Sequence, residues 1–252
     1  MALHRFFVRE HAAGGSGRLS LSEADVHHAL DVLRLAPGDR IVCVDPNGSA
    51  LEVRITKTDG GVVEGEAVGA VEAAPVPRVW LVQGLAKGEK MDAVIRQATE
   101  LGVERIVPLA SSRSVVRLDA AKADAKRARW QRVAAEAAKQ SQRTQVPEVA
   151  PVADVAALAS ELGAVALVLV AWEDAEGAPS VRRAIEDAGL GGDDAVAVVV
   201  GPEGGFSSDE VASLVDAGAK TVWLGPTILR TETAGVVAVA LAMSARGGLG
   251  GA

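Results

Sequence analysis

The stretch LGPTILRTETAGVV, residues 224–237, sets a guanidinium (Arg230) and a carboxylate (Glu232) two residues apart, flanked by Thr231 and Thr233. It lies between the end of an apolar run and an almost entirely apolar helical segment. Ionisable residues in a loop at the carboxyl end of a strand are functional more often than decorative. The same two groups can also pair with each other, or Glu232 can sit against the positive end of the following helix dipole. A second candidate is VVVGPEGGFSSDEV, residues 198–211, where Gly201, Gly204 and Gly205 let the backbone come close to a ligand. Ser207 and Glu210 have capping-box spacing, so a helix starts directly after it. This loop matches neither the dinucleotide fingerprint nor the P-loop, and alone it reads as an ordinary βα turn with glycines more than as a site. All four histidines fall in the first 28 residues and Cys43 is the single cysteine, so the rest of the chain offers no histidine for a triad or metal cluster. That favours chemistry built on positioning two substrates, one of them a reactive cofactor.

The elements that must position these loops follow from periodicity. From 79 onward, apolar runs alternate with helical patterns: strands at 79–85, 105–110, 165–172, 195–200 and 220–224, helices at 91–102, 121–142, 152–162, 180–188, 208–217 and 233–245. Met91, Val94, Ile95, Ala98 and Leu101 form one stripe. Near-continuous apolar strands such as AVAVVV require a parallel sheet covered on both faces, hence a doubly wound α/β domain. In such a sheet ligands bind at the carboxyl ends of the strands. Residues 1 to 72 read differently. Ser22 caps a short helix with Asp25 three residues on, and Val26, Ala29, Leu30 and Leu33 follow helical spacing. RIVCVD, the Asn47-Gly48 turn and ALEVRIT then form a hairpin, with VVEGEAV as a further strand. EAAPVP, residues 72–77, is the linker between a β-rich module, 1–72, and the α/β domain, 73–252.

With 252 residues and about half of them apolar, the chain can bury a sizeable core. No apolar run reaches the roughly 20 residues that span a bilayer, and MALHRFFV is not a secretory leader; a cytoplasmic protein with no membrane partner is expected. The net charge of −7 conceals an asymmetry. Residues 111–143 hold nine basic and three acidic side chains, a net +6 that leaves −13 on the rest. A local polyanion site has this footprint, as does a solvated helix face.

GPEGGFSSDE at 201–210, followed by LGPTILRTETA at 224–234, resembles the RsmE family of 16S ribosomal RNA methyltransferases, of the SPOUT superfamily. HRFFV near the start, HALDVLRLAPGD at 28–39, KGEKMDAVIRQATELGVERIVPL at 87–109 and RWQRVAAEAAKQSQRTQVPEV at 129–149 carry the resemblance along nearly the whole chain, in the family order. It implies an N-terminal PUA-like β-barrel that helps hold RNA. It also implies a C-terminal SPOUT-type parallel-sheet domain tied in a trefoil knot, and a homodimer. Periodicity would not suggest a knot, since knots are almost absent from proteins. The implied cofactor is S-adenosyl-L-methionine, with no metal. The implied product is N3-methyluridine in the decoding region of 16S rRNA, made on the assembled small ribosomal subunit.

Under this resemblance Gly201, Pro202, Gly204, Leu224, Gly225, Ile228 and Leu229 wrap the cofactor, Thr233 reaches it with its hydroxyl, and Arg230 and Glu232 face the uridine. Uridine N3 is a poor nucleophile until its proton leaves. Arg230 near O2 or O4 would stabilise the developing charge, and Glu232 would act as base or orient Arg230. Arg113, Arg117, Arg132 and Arg143, with Arg5 and Arg34 from the first module, would contact phosphates, which position but do not read sequence. Trp130 reads as a core or interface residue. The chain departs from the family at Thr227, where many members carry arginine. Two other readings use the same residues. A non-catalytic RNA-binding assembly factor would lack affinity for S-adenosylmethionine. A nucleotide-binding enzyme of small molecules would turn over without RNA.

Overall fold

The computed structural model describes residues 3–9, 16–59, 61–72 and 75–250. Its contacts divide the chain into two units, one of residues 1–74 with 138–145, the other of 75–137 with 146–252. Residues 138–145, which the sequence reading put in the α/β domain, therefore pack with the first unit.

The first unit holds strands β1 (His4–Phe7), β2 (Ser16–Arg18), β3 (Arg40–Val44), β4 (Ala50–Asp59) and β5 (Val62–Val71) in the sheet order β1-β3-β4-β5-β2. The β1–β3 pair is parallel and the others are antiparallel. The β3–β4 turn forms where Asn47-Gly48 predicts it, with Gly48 at φ 83° and its N–H donating to Asp45 O. Helix α1 (Glu23–His27) is capped by the Ser22 hydroxyl, which accepts from Asp25 N–H at 3.1 Å. A π-helical turn over His28–Val32 prolongs it and puts Ala29 into the core. Phe6, Ile41, Cys43, Val53 and Ile55 form that core. Burial pushes the Cys43 thiol up to about 12, which leaves it a packing group.

The second unit holds β6 (Val79–Gly84), α2 (Lys90–Glu100), β7 (Arg105–Ala110), α3 (Ala120–Gln140, shared with the first unit), β8 (Glu148–Val149), β9 (Ala153–Asp154) and α4 (Val155–Glu161). It continues through β10 (Leu167–Ala171), α5 (Val181–Ala188), β11 (Val196–Val200), α6 (Ser208–Asp216), β12 (Lys220–Val222) and α7 (Thr231–Ala245). The sheet order is β12-β10-β11-β6-β7-β8, with β9 also on β7, and every pair is parallel.

Alternation along the strands feeds two cores. Val79, Leu81, Val196 and Val198 face the layer of α2, α3, α5 and α7, where Trp130 is 2% exposed. Trp80, Val82, Ala197 and Val199 face the layer of α4 and α6. Among the described residues no helix is long and apolar enough to cross a membrane.

Two departures from the sequence reading concern element ends. The short strands β8 and β9 fall in stretches where periodicity predicts a connection and a helix. Asp154 ends β9 and at once caps α4, its carboxylate accepting from Ala157 N–H at 2.8 Å. Helix α7 starts at Thr231 rather than 233, so Glu232 and Thr233 lie in its first turn and Arg230 is its N-cap residue, without a side-chain capping bond.

The central strands β6 and β11 approach so closely at their carboxyl ends that a Cβ on Gly84 would overlap the Gly201–Pro202 peptide, lying 2.8 Å even from Pro202 Cα. Backbone on both sides cannot swing away as a side-chain tip would. Gly84→Ala is expected to lower stability by about 1–3 kcal/mol in urea unfolding. Gly163→Ala, where a Cβ meets nothing within 4 Å, is expected to leave the midpoint near that of the parent. Equal midpoints for the two variants would refute the close-approach argument.

Candidate active site

The segments that leave the carboxyl ends of β10, β11 and β12 enclose a pocket of about 700 Å³. It lies where an open parallel sheet binds ligands and is large enough for one of drug size. Trp172 and Glu173 come from the first segment, Gly201, Pro202, Glu203 and Gly205 from the second. The third supplies the run from Trp223 to Glu232, and α2 adds Lys90.

Each segment is held for a physical reason. Gly205 takes φ 67°, and a Cβ there would overlap the Glu173 carboxylate. The capping box at the start of α6 is complete, with Ser207 N–H donating to Glu210 and Glu210 N–H to Ser207. Glu210 also accepts from Ser112 N–H at 2.6 Å. Burial pushes the Glu210 carboxyl up, and these hydrogen bonds from Ser112 and Ser207 outweigh it and hold it below the usual range. Gly225 takes φ 131° in the third segment. Between Leu224 and Arg230 the backbone N–H groups donate to no acceptor among the described residues. Free donors in a pocket wall are places for a ligand's acceptors.

The start of α7 is locked underneath by a buried network. Thr231 Oγ1 donates to Gly201 O at 2.5 Å and accepts from Gln83 Nε2 at 2.8 Å. Gln83 is fully buried and Thr231 is 5% exposed. One hydroxyl thus ties the ends of β6 and β11 to the first turn of α7.

The charges are arranged differently from the sequence expectation. Glu232 does not pair with Arg230; its Oε2 lies 3.3 Å from Lys90 Nζ, and Lys90 Nζ donates to Glu203 Oε1 at 3.2 Å. Glu203 also accepts from Lys87 N–H at 3.1 Å. Burial pushes the Glu203 carboxyl up, but the hydrogen bonds from Lys87 N–H, from its own N–H and from Lys90 prevail and hold it below the usual range. The bond to Glu203 is the main cause that raises the Lys90 ammonium above its ordinary value; partial desolvation opposes it and Glu232 adds to it. Arg230 is exposed, and its guanidinium has no partner among the described residues. It is the free cation of the pocket wall.

Of the residues expected around a cofactor, Gly201, Pro202, Leu224, Gly225, Ile228 and Leu229 line the pocket, together with Arg230 and Glu232. Gly204 and Thr233 do not. Gly204 faces the other way, where a Cβ would press on Arg113 O at 2.9 Å. Thr233 lies on the exposed side of α7, and the hydroxyl that turns inward is that of Thr231. Thr227, the departure from the family pattern, is exposed and lines the pocket.

The expected phosphate-binding arginines divide. Arg34, Arg117 and Arg132 are exposed. Arg113 donates to Phe206 O at 3.1 Å and Gly204 O at 3.4 Å, bracing the glycine loop from behind. In the first unit Arg5 donates to Gln142 O, and burial lowers its guanidinium. Burial also pushes Arg143 down to about 10. A desolvated guanidinium is a packing group before it is a phosphate ligand.

Sequence reasoning missed Lys90, Glu203, Thr231 and Trp172. Glu203 and Thr231 lie in the two stretches that the sequence singles out, and Lys90 opens an amphipathic helix, where the dipole disfavours a cation.

A doubly wound parallel sheet with a ligand pocket of this kind, joined to a β-rich module, matches two family models: an RNA methyltransferase domain over residues 72–243 and an RNA methyltransferase PUA domain over residues 21–66. The protein is therefore an RNA methyltransferase with a PUA-like domain. The chain is 35% identical over 225 residues to ribosomal RNA small subunit methyltransferase E of Bacillus subtilis, covering 87% of each chain. It is 36% identical to the Mycobacterium bovis protein of the same name, covering 84% of this chain and 80% of that one. A crystal structure of ribosomal RNA small subunit methyltransferase E from Neisseria gonorrhoeae bound to S-adenosyl methionine superposes with a TM-score of 0.80 at 29% identity, over 95% of this chain and 96% of that one. The chain belongs to the ribosomal RNA small subunit methyltransferase E family.

Thr231→Val removes both hydrogen bonds of the buried lock, leaving Gly201 O without that donor and Gln83 Nε2 with only its bond to Gly84 O at 3.3 Å. It is expected to cost about 1–3 kcal/mol in denaturant unfolding, with Thr231→Ser much closer to the parent. A valine variant as stable as the parent would show that the network does not hold α7.

Proposed function

We propose that the protein transfers a methyl group from S-adenosylmethionine to N3 of one uridine in 16S ribosomal RNA, on the assembled small subunit, and that the pocket behind Arg230 holds the cofactor. The observation that carries this reading is the pocket itself: apolar Leu224, Ile228 and Leu229, free backbone donors, and the carboxylate of Glu173 among its lining residues. A cofactor with an aromatic base, polar edges and a cationic amino acid end fits that donor set. Gly201, Pro202, Gly205, Leu224, Gly225, Ile228 and Leu229 would hold it.

When bound, the cofactor supplies an electrophilic methyl group on a sulfonium, which needs no metal to activate it. Arg230, exposed at the rim and unpaired, lies close to the uracil edge in this reading and stabilises the negative charge that spreads to O2 and O4 as N3 loses its proton. Glu232 takes that proton. The N3 lone pair then forms the new N–C bond as the methyl–sulfur bond breaks, and a neutral thioether leaves. Arg34, Arg117 and Arg132 meet phosphates.

Three further parts belong to the proposal. The β-rich module, 1–72, is a PUA-like barrel that holds RNA, and 73–252 is the methyltransferase domain. The segment from β12 to α7 closes a trefoil knot; support comes from α7, which follows the edge strand β12 and yet packs on the central strands β6 and β11. The enzyme is a homodimer. Val237, Ala240 and Leu241 leave part of an almost wholly apolar helix uncovered, with Leu241 37% exposed, and such a face needs a partner. A ribosomal substrate places the protein in the cytoplasm.

Arg230→Ala is expected to lower kcat on small subunits by about 10²–10³-fold, with S-adenosylmethionine affinity by calorimetry within about threefold of the parent. Mass spectrometry of 16S rRNA from a deletion strain should lack one methyluridine, restored by the parent chain and not by the variant. Full activity of the variant, or an unchanged methyluridine map, would overturn the reading.

A further inference from the structure

The charged cluster on the wall of the pocket has a member that the proposed chemistry does not use. Lys90 is the first residue of α2. A cation at a helix N-terminus meets the positive end of the dipole, so its place there is set by something stronger. Its ammonium lies 3.2 Å from Glu203 Oε1 and 3.3 Å from Glu232 Oε2. These two carboxylates come from different segments, the glycine loop after β11 and the first turn of α7. Both are mostly covered, with side chains 25% and 23% exposed, and Glu232 Oε2 is buried with no aligned donor.

We propose that Lys90 is a positioning residue for methyl transfer, a single ammonium that fastens Glu203 and Glu232 side by side so that the Glu232 carboxylate is presented to the target base. The inference rests on the reading of Glu232 as the proton acceptor. Two half-buried carboxylates that share one cation repel each other once the cation is gone, and the pair then retains a proton to higher pH. The shift of Lys90 above its ordinary value means that it stays an ammonium across the working range and is not itself the acceptor. The other charged groups of the pocket wall are Glu173 and Glu176, from the segment after β10, and Arg230 at the N-cap of α7. Glu173 and Glu176 add negative charge and cannot replace Lys90. Arg230 makes no ion pair with Glu232. Lys87 reaches the cluster through its backbone N–H on Glu203, which a change at Lys90 leaves in place.

The test is the pH profile of kcat on small ribosomal subunits lacking the methyl group, at saturating S-adenosylmethionine. It is measured for the full-length parent and for Lys90→Met, Lys90→Arg, Glu203→Gln, Glu232→Gln and the K90M/E203Q double variant. In K90M the acidic limb is expected to move up by about one pH unit, while K90R stays near the parent. Removing the second carboxylate in K90M/E203Q is expected to bring the limb back, a rescue that a merely structural lysine would not produce. If E232Q loses activity by about 10²-fold or more while K90M keeps the parental profile, the inference fails alone. If K90M shifts but E203Q does not restore it, the shared-cation account fails. A fully active E232Q overturns the reading of Glu232, and this inference with it.

Discussion

Everything at the pocket depends on how closely two strand ends can pack. At the carboxyl ends of β6 and β11 the chain has glycine at Gly84 and at Gly201, and the peptide after Gly201 occupies the space a Cβ on Gly84 would need. That approach leaves the Gly201 carbonyl within reach of Thr231, and Thr231 within reach of Gln83. A buried donor or acceptor left unpaired costs more than a formed hydrogen bond contributes, so the Gln83 N–H, the Thr231 hydroxyl and the Gly201 carbonyl specify one another. The start of α7 is fixed by them and not by a side-chain cap, since Arg230 occupies the cap position without capping. Arg230 is thereby left with its guanidinium in solvent at the mouth of the pocket.

The charges follow from the same constraint. With the first turn of α7 held against the ends of β6 and β11, Glu232 and Glu203 face one another across the wall, and Lys90 lies between them. A carboxylate in the first turn of a helix has the dipole in its favour, so Glu232 suits its position twice over, whereas Lys90 is there in spite of its own helix. Opposite signs of that local preference distinguish a residue placed by secondary structure from one placed by the site.

Most of the sheet was legible because parallel strands covered on both faces leave a strong record. RIVPLA forms β7 with the bounds expected for it, 105–110, and the Met91 to Ala98 stripe is the buried face of α2. Legibility failed where periodicity has too few residues to act on: β8 and β9 have two residues each and are strands only because β7 pairs with them. It failed again at α7, since the apolar run begins at Ala234 while Thr231 and Glu232 already have helical geometry. Polar residues in a first turn resemble a loop. Within the pocket, the loops could be read from glycine and charge, but the partner of Glu232 could not. Lys90 lies 142 residues away in the chain, and only the packing of α2 beside α7 joins them.

The basic segment shows what composition leaves out. Its net +6 suggested a polyanion track, yet most of its cations have a duty inside the fold. Arg113 braces the glycine loop, Arg127 donates to Val149 O at 2.9 Å, and Arg129 pairs with Asp92. Lys126 lies over the Trp130 ring, Lys122 pairs with Asp119, Lys139 with Asp25, and Arg143 is half-buried. Among the described residues of that segment, Arg117 and Arg132 are exposed and have no partner. A sum of charges treats a cation tied to a carboxylate or a carbonyl like one facing water, and only the latter releases counterions when it meets a phosphate. With so few of its cations left unpaired among the described residues, this segment attracts a polyanion over long range less strongly than its net +6 implies. Under the proposed function, short-range fit at the pocket rim, where Arg230 is exposed and unpaired, then carries more of the recognition than the field of that segment.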